Sequence, residues 1–264
     1  MAEQPIRFDD GAAYERLMGA WSQLVGRVFL DWLSPVAGQR WIDVGCGNGV
    51  FTEQLMQRCA PVEVQGIDPS EGQIAYARNR AGAAGAAFQQ GDAMALPFDA
   101  DRFDAAVMAL VISFVPDPAK AVAEMTRVVQ AGGLVAAYMW DQFGGGSPSE
   151  LFVEELAAMG MTATLPASAH ISRMESLRDL WTGAGLEQVE TKVIAVERQF
   201  ENFEDFWGAG TATGVIRATL DHLETAAIAQ LKERLRVRLS PDGQGPVTRR
   251  SFANAIKGYV PTSP

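Results

Sequence analysis

The chain has 264 residues, 48% of them hydrophobic and 20% charged, with a formal net charge of −10. Its length suits one α/β domain with modest insertions, because single cores stop growing near ~250–300 residues, and its composition excludes disorder and fibrous repeats. The acidity is even, with 10 Lys+Arg against 16 Asp+Glu in residues 1–140 and 12 against 16 in residues 141–264, so neither part carries a nucleic-acid footprint.

The first periodic segment runs Tyr14, Leu17, Met18, Trp21, Leu24, Val25, Val28, Phe29, Trp32, which is helical spacing stopped at Ser34-Pro35. Short apolar runs then alternate with helical patterns: strand 40–45, helix 51–59, strand 63–68, helix 71–80, strands 86–92 and 103–110, helix 119–130, strand 134–140. Repeated β-then-α units predict a doubly wound, mostly parallel sheet. Ser70-Glu-Gly-Gln73 fits a capping box, Asp117-Pro118 an N-cap before proline, and Gly82 and Gly132-Gly133 read as helix stops.

Past the fifth strand, Gly144-Gly145-Gly146 reads as a flexible break before a helix from Ser147–Glu150 to Gly160, with a loop over 162–170. A second capping box, Ser172-Arg-Met-Glu175, opens a helix closing at Gly183 and Gly185. A strand over 188–198, a helical insertion over 202–239 opened by Asn202, and a last strand over 247–259 complete seven strands. The basic strip Lys232, Arg234, Arg236, Arg238 alternates with Leu235, Val237 and Leu239 and reads as the charged face of an amphipathic helix, and Arg249-Arg250 reads as solvated.

The chemistry concentrates in Trp41-Ile-Asp-Val-Gly-Cys-Gly-Asn-Gly49, a strand running into alternate glycines and then a helix. Glycines there admit φ > 0 and close approach of a ligand, and the helix N-terminus offers free N–H groups to an anion; a plain tight turn is the alternative. The dinucleotide pattern G-x-G-x-x-G is not met, since Gly49 comes one place early and Val50 holds the expected slot. Asp68 closes the second strand about 20 residues on, where a carboxylate can accept both hydroxyls of a ribose, or else simply cap a turn. Asp92, in Gly-Asp-Ala-Met94 at the third strand's end, can accept from an adenine amino group. The carboxyl ends of a parallel sheet share one crevice, so a single adenosine site is the economical reading.

These pieces resemble the class I S-adenosylmethionine-dependent methyltransferases, in particular the ubiquinone and menaquinone biosynthesis branch. The matching residues are Asp43–Gly49, Gly66-Ile-Asp-Pro-Ser70, Gly91–Pro97, Phe103-Asp104 and Arg127–Gly133. The resemblance implies the family's seven-stranded Rossmann-like sheet with helical lid insertions. It further implies that Asp43, Gly45, Cys46, Gly47 and Gly49 hold the methionine part of S-adenosyl-L-methionine. Asp68, with Pro69, Ser70 and Gln73 beside it, would hold the ribose, Asp92, Ala93 and Met94 the adenine, and Ala109 would line the sulfonium side. The N-terminal helix would fold Tyr14, Met18 and Trp21 over the cofactor, or pack them on the sheet. The family's histidine pair is replaced by Ser113-Phe114, so no general base transfers; these two, with Tyr138 and Trp140 at the fifth strand's end, are the candidate substrate pocket.

The expected whole is a single domain: an N-terminal lid helix (1–35), a cofactor core (36–141), and insertions 142–172 and 202–239 roofing a small-molecule acceptor. The expected reaction is methyl transfer leaving S-adenosyl-L-homocysteine, with no catalytic residue assigned. A silent cofactor-binding module and a nicotinamide-dependent oxidoreductase are the alternatives. His170 and His222, the only histidines, read as surface residues, and Cys46 and Cys59 as free thiols without metal-ligand spacing. A polar, acidic N-terminus and no apolar run near ~18 residues point to the cytoplasm, with no membrane span.

Overall fold

The computed structural model describes residues 19–212, 214–239 and 245–262. After helix α1 (Ala20–Leu33) come β1 (Arg40–Val44), α2 (Val50–Cys59), β2 (Glu63–Asp68), α3 (Glu71–Arg78), β3 (Ala87–Gln90), β4 (Phe103–Ala109), α4 (Pro118–Val128) and β5 (Val129–Trp140). Then follow α5 (Glu150–Ala158), α6 (Met174–Gly183), β6 (Glu187–Phe200), α7 (Phe203–Thr211), α8 (Gly214–Leu220), α9 (Thr225–Leu239) and β7 (Val247–Tyr259).

The strands form one sheet in the order β3-β2-β1-β4-β5-β7-β6, with β7 antiparallel to both its neighbours and the remaining pairs parallel. The chain winds from β1 out to β3 and returns on β1's other side as β4, so the switch point and its crevice lie between β1 and β4. Nearly continuous apolar sequence such as Ala105–Met108 suits strands covered on both faces. On one face α1 sets Phe29 4.5 Å from the Tyr138 ring. On β5, buried Trp181 of α6 donates its Nε1–H to Val135 O at 3.0 Å.

Several local signals behave as the sequence suggests. Ser34 ends α1 in the left-handed region, Ser70 accepts from the Gln73 amide, Asp117 from that of Lys120, and Asn202 from that of Asp205. Others need correction. Gly132-Gly133 does not stop a helix: α4 ends at Val128 and β5 already includes the pair. Gly132 has φ +76 and donates to Val260 O, while a Cβ at Gly133 would stand 2.7 Å from Asp104 O, so the glycines admit close strand pairing. Ser172 does not cap α6. Its hydroxyl instead accepts the Gln142 amide at 3.2 Å, which pins the loop after β5 to the turn before α6.

The glycine run 144–146 is also tied down, since Gly146 accepts the Phe252 amide at 2.7 Å and Gly144 donates to Asp141 Oδ1 at 2.7 Å. Helices α5, α7, α8 and α9 form the cap. Its basic strip is consumed internally: Arg234 and Arg238 reach Glu155 of α5 at 2.7 and 3.1 Å, Lys232 reaches Glu204 of α7 at 2.6 Å, and Arg236 pairs with Glu233. Among the described residues no helix is long and apolar enough to cross a membrane, and no cluster of potential metal ligands occurs.

Candidate functional site

The site begins where β1 hands over to α2. The amides of Gly45 and Cys46 both donate to Ile67 O of β2, at 2.7 and 2.9 Å, turning the chain sharply. Gly45, Gly47 and Gly49 have φ of +77, +51 and +81, a region costly to any residue with a Cβ. A Cβ at Gly45 would also stand 2.5 Å from Val111, whereas one at Gly47 would meet nothing within 4 Å, so space lies open above it. Arg80 braces the loop from below, donating Nε–H to Asn48 O at 3.0 Å while ion-paired to Glu53 at 2.7 Å.

Asp68, at the end of β2, faces this loop. Its Oδ2 accepts the Gly47 amide at 3.0 Å and its Oδ1 the Ser70 amide at 2.9 Å, which fixes the carboxylate's orientation. Asp92 sits two residues past β3 in a turn whose Oδ1 accepts the Met94 amide at 2.8 Å. Asp43 lies beneath the loop, fully buried, with Thr52 donating to its Oδ2 at 2.6 Å and its Oδ1 without a partner. Burial pushes its pKa up to about 7, with the Thr52 bond opposing and the Asp68 charge adding to the rise. Burial, helped by Asp43 and Asp68, likewise pushes the Cys46 thiol up, so it stays protonated and is no nucleophile.

One cavity of about 540 Å³ joins these strand ends to an aromatic chamber under the cap. Of the residues expected to hold cofactor, Gly45, Cys46, Gly47, Asp68, Pro69, Ser70, Gln73, Asp92, Ala93, Ala109 and Trp21 line it. Of the expected substrate pocket, Phe114, Tyr138 and Trp140 line it. Tyr138 and Trp140 are also core residues: both are buried, and Trp21 meets Trp140 edge to face at 5.9 Å.

Four expected residues do not line the cavity. Asp43 is beneath the loop; a Cβ at Gly49 would point at Ala77 of α3; Met94 packs against the core; and Ser113 is fully buried, its carbonyl accepting the Ser168 amide at 3.0 Å. Tyr14 and Met18 lie outside the described residues. Both histidines are exposed and away from the cavity, His170 in a short 3-10 turn and His222 in the turn between α8 and α9, not on a helix.

The chamber's far wall comes from Gln142, Ser147, Phe206, Gly210 and Val215 of the two insertions expected to roof the acceptor, joined by Phe200 and Arg249, which lie outside them. Arg250 is exposed as expected of a solvated pair, but Arg249 is half-buried against the cavity. The pairing of β7 with β6 sets the phase, in which Val247, Arg249, Ser251, Ala253 and Ala255 face inward.

Comparison with known proteins agrees with this geometry. Residues 42–137 match the methyltransferase-domain family. The ubiquinone/menaquinone biosynthesis C-methyltransferase UbiE of Roseobacter denitrificans is 35% identical over 117 residues, 43% of this chain and 47% of that protein. The demethylmenaquinone methyltransferase of Renibacterium salmoninarum is 33% identical over 156 residues, 58% of this chain and 64% of the relative. The chain thus spans between about half and under two thirds of the length of these relatives. Phosphoethanolamine N-methyltransferase 2 of Haemonchus contortus, solved with phosphomonomethylethanolamine and S-adenosylhomocysteine, superposes with a TM-score of 0.59 at 20% identity, covering 95% of this chain and 57% of that one. These likenesses lend nothing to a nicotinamide-dependent or a binding-only reading. Over residues 42–137 the chain is similar to the methyltransferase-domain family, and it carries the seven-stranded fold of the class I S-adenosylmethionine-dependent methyltransferases.

Proposed function

We propose that the protein binds S-adenosyl-L-methionine across the ends of β1, β2 and β3 and methylates a small, largely apolar molecule held under the helical cap. One observation carries the reading: the glycine loop, Asp68 and Asp92 open onto the same cavity as the chamber walled by Trp140, Phe200 and Phe206. Asp68 would hold the ribose hydroxyls, its carboxylate already oriented by two backbone amides. The open space above Gly47 suits the methionine part, and Asp92 with Ala93 the adenine. Asp43 would act from beneath, shaping the loop without touching the ligand.

When bound, the cofactor supplies an activated methyl group on a sulfonium, so the protein's task is to align an acceptor nucleophile and exclude water. The acceptor atom bonds to the methyl carbon as the methyl–sulfur bond breaks, the electron pair staying on sulfur to leave S-adenosyl-L-homocysteine. The cavity offers no histidine, and its one thiol is held protonated, so neither of these supplies a base to an acceptor that carries a proton. Trp21 and the edge of the cap limit water's approach.

The cofactor core is residues 36–141, with α1 (Ala20–Leu33) as the described part of the lid and 142–172 and 202–239 as cap, in one domain. Two buried free thiols suit the cytoplasm, and the acidic total charge suits a small-molecule rather than nucleic-acid partner. The test is turnover: with methyl-labelled S-adenosylmethionine and a panel of phenols, amines and carbon acids, S-adenosylhomocysteine and a singly methylated product are expected together. Tight binding of the cofactor with no turnover on any acceptor would favour a silent binding module.

A further inference from the structure

Arg249 occupies a position that the strand pattern reserves for apolar side chains. On β7 it lies in phase with Val247, Ser251, Ala253 and Ala255, all buried, while Thr248 and Arg250 face solvent. Its partner directly across on β6 is Arg198, so two guanidinium groups stand opposite each other on one sheet face. Arg198 lies over the Phe200 ring at 4.3 Å, and Phe200 lines the cavity beside Arg249.

Arg249 makes no hydrogen bond and no ion pair among the described residues. Glu150, the carboxylate with the stronger pull on it, forms no ion pair with it, and Glu154 is engaged by Arg238 at 2.7 Å. Burial pushes the Arg249 guanidinium down from its ordinary value, Glu150 opposing and Arg238 adding to the effect, yet a guanidinium stays protonated throughout the working range. A half-buried cation without a hydrogen bond or ion pair among the described residues, facing a cavity that Trp140, Phe200 and Phe206 also line, is costly unless a ligand supplies the counter-charge.

Its place along the strand adds a length. Trp140 pairs with Ala253, and Arg249 is four residues further, about 13 Å along the strand direction. The cation therefore stands at the end of the chamber remote from the strand ends where the methyl group would be delivered.

We propose that Arg249 is a specificity-determining residue that binds a carboxylate on the acceptor, so that the substrate class is a ring-bearing apolar acid rather than a neutral apolar molecule. This rests on the methyltransferase reading of the same cavity. Phe200 and Phe206, which line the same cavity, take the acceptor's apolar body.

The experiment titrates 2-naphthoate and 2-naphthamide into full-length protein saturated with S-adenosylhomocysteine, for the unaltered chain, Arg249→Gln and Arg249→Lys. The carboxylate is expected to bind at least about tenfold tighter than the amide to the unaltered protein. Arg249→Gln is expected to abolish the preference while binding S-adenosylhomocysteine as before, which also shows that the variant is folded, and Arg249→Lys to keep part of it. Naphthoate binding no better than naphthamide, including no binding of either, overturns the proposal. So does a preference that survives in Arg249→Gln, as it would if the arginine only balanced Glu150. Failure of S-adenosylhomocysteine to bind either protein overturns the methyltransferase reading, and the proposal with it.

Discussion

The Gly47 amide donates to Asp68 Oδ2 at 3.0 Å, joining the glycine loop after β1 to the carboxyl end of β2. A single carboxylate thus both shapes the loop and faces the cavity. Asp68→Ala is expected to weaken S-adenosylhomocysteine binding by about 1.5–3 kcal/mol through loss of charge-assisted hydrogen bonds. Asp68→Asn should fall between, since the amide oxygen can still accept one N–H. Unchanged affinity in the alanine variant, measured by calorimetry, would remove Asp68 from the ribose role.

Gly45 turns the chain at φ +77 with Val111 Cγ1 only 2.5 Å from where a Cβ would stand. Gly45→Ala combines left-handed strain with overpacking, at a cost of about 2–4 kcal/mol. A lowered urea midpoint together with lost cofactor binding is expected. Full stability in this variant would mean that the loop adapts and is not built around that contact.

Asp43 gives the fold a pH signature. Its native pKa is raised to about 7 by burial, while an unfolded aspartate releases its proton near ~3.9. Between those values the native state binds more protons, so Asp43's contribution to stability falls as pH rises through that window, by at most about 4 kcal/mol. Asp43→Asn keeps an acceptor for Thr52 and cannot ionise. Relative to the unaltered protein it should therefore gain stability from pH 5 to pH 8 in urea unfolding of the ligand-free chain; a constant difference would contradict the buried-carboxyl assignment.

Glu155 joins α5 to α9 through Arg234 and Arg238. Burial pushes its pKa up, but the bonds from Arg238 and Arg234 outweigh it and hold the carboxyl below its ordinary value. Its contribution is present above the unfolded pKa and lost as pH falls through the lowered native one. Glu155→Gln is expected to cost about 1–2 kcal/mol at pH 7, allowing for the half-exposed guanidinium groups, and nothing once both states are protonated. Equal thermal stability of the two proteins at neutral pH would show that the cap is held by its apolar contacts alone.

Much of the cofactor end was legible in the sequence because its signals are local. A strand, three alternate glycines and a helix start fix Gly45–Gly49 in the chain, and Asp68 follows at the next strand end, so the parallel order alone brings them together. The chamber's far wall depends on tertiary pairing. Phe200 and Arg249 meet only because β7 enters antiparallel between β5 and β6, which no local spacing of either strand announces.

Local signals also failed where tertiary bonds outcompeted them. Ser172 has capping-box neighbours, yet its hydroxyl serves Gln142 across the cap base, and Gly132-Gly133 answers the close approach of β4 and Val260 rather than a helix end. Beside Arg250, Arg249 looks in the sequence like surface charge, and only the β7 register separates the inward residue from the outward one.

The central claim is that the cavity at the ends of β1, β2 and β3 takes S-adenosylmethionine. Calorimetric titration of the purified protein with S-adenosylhomocysteine, with NADH as the control, tests it most directly. Saturable binding at one site with no heat from NADH is the expected result. No binding of S-adenosylhomocysteine, or NADH binding in its place, would contradict the claim.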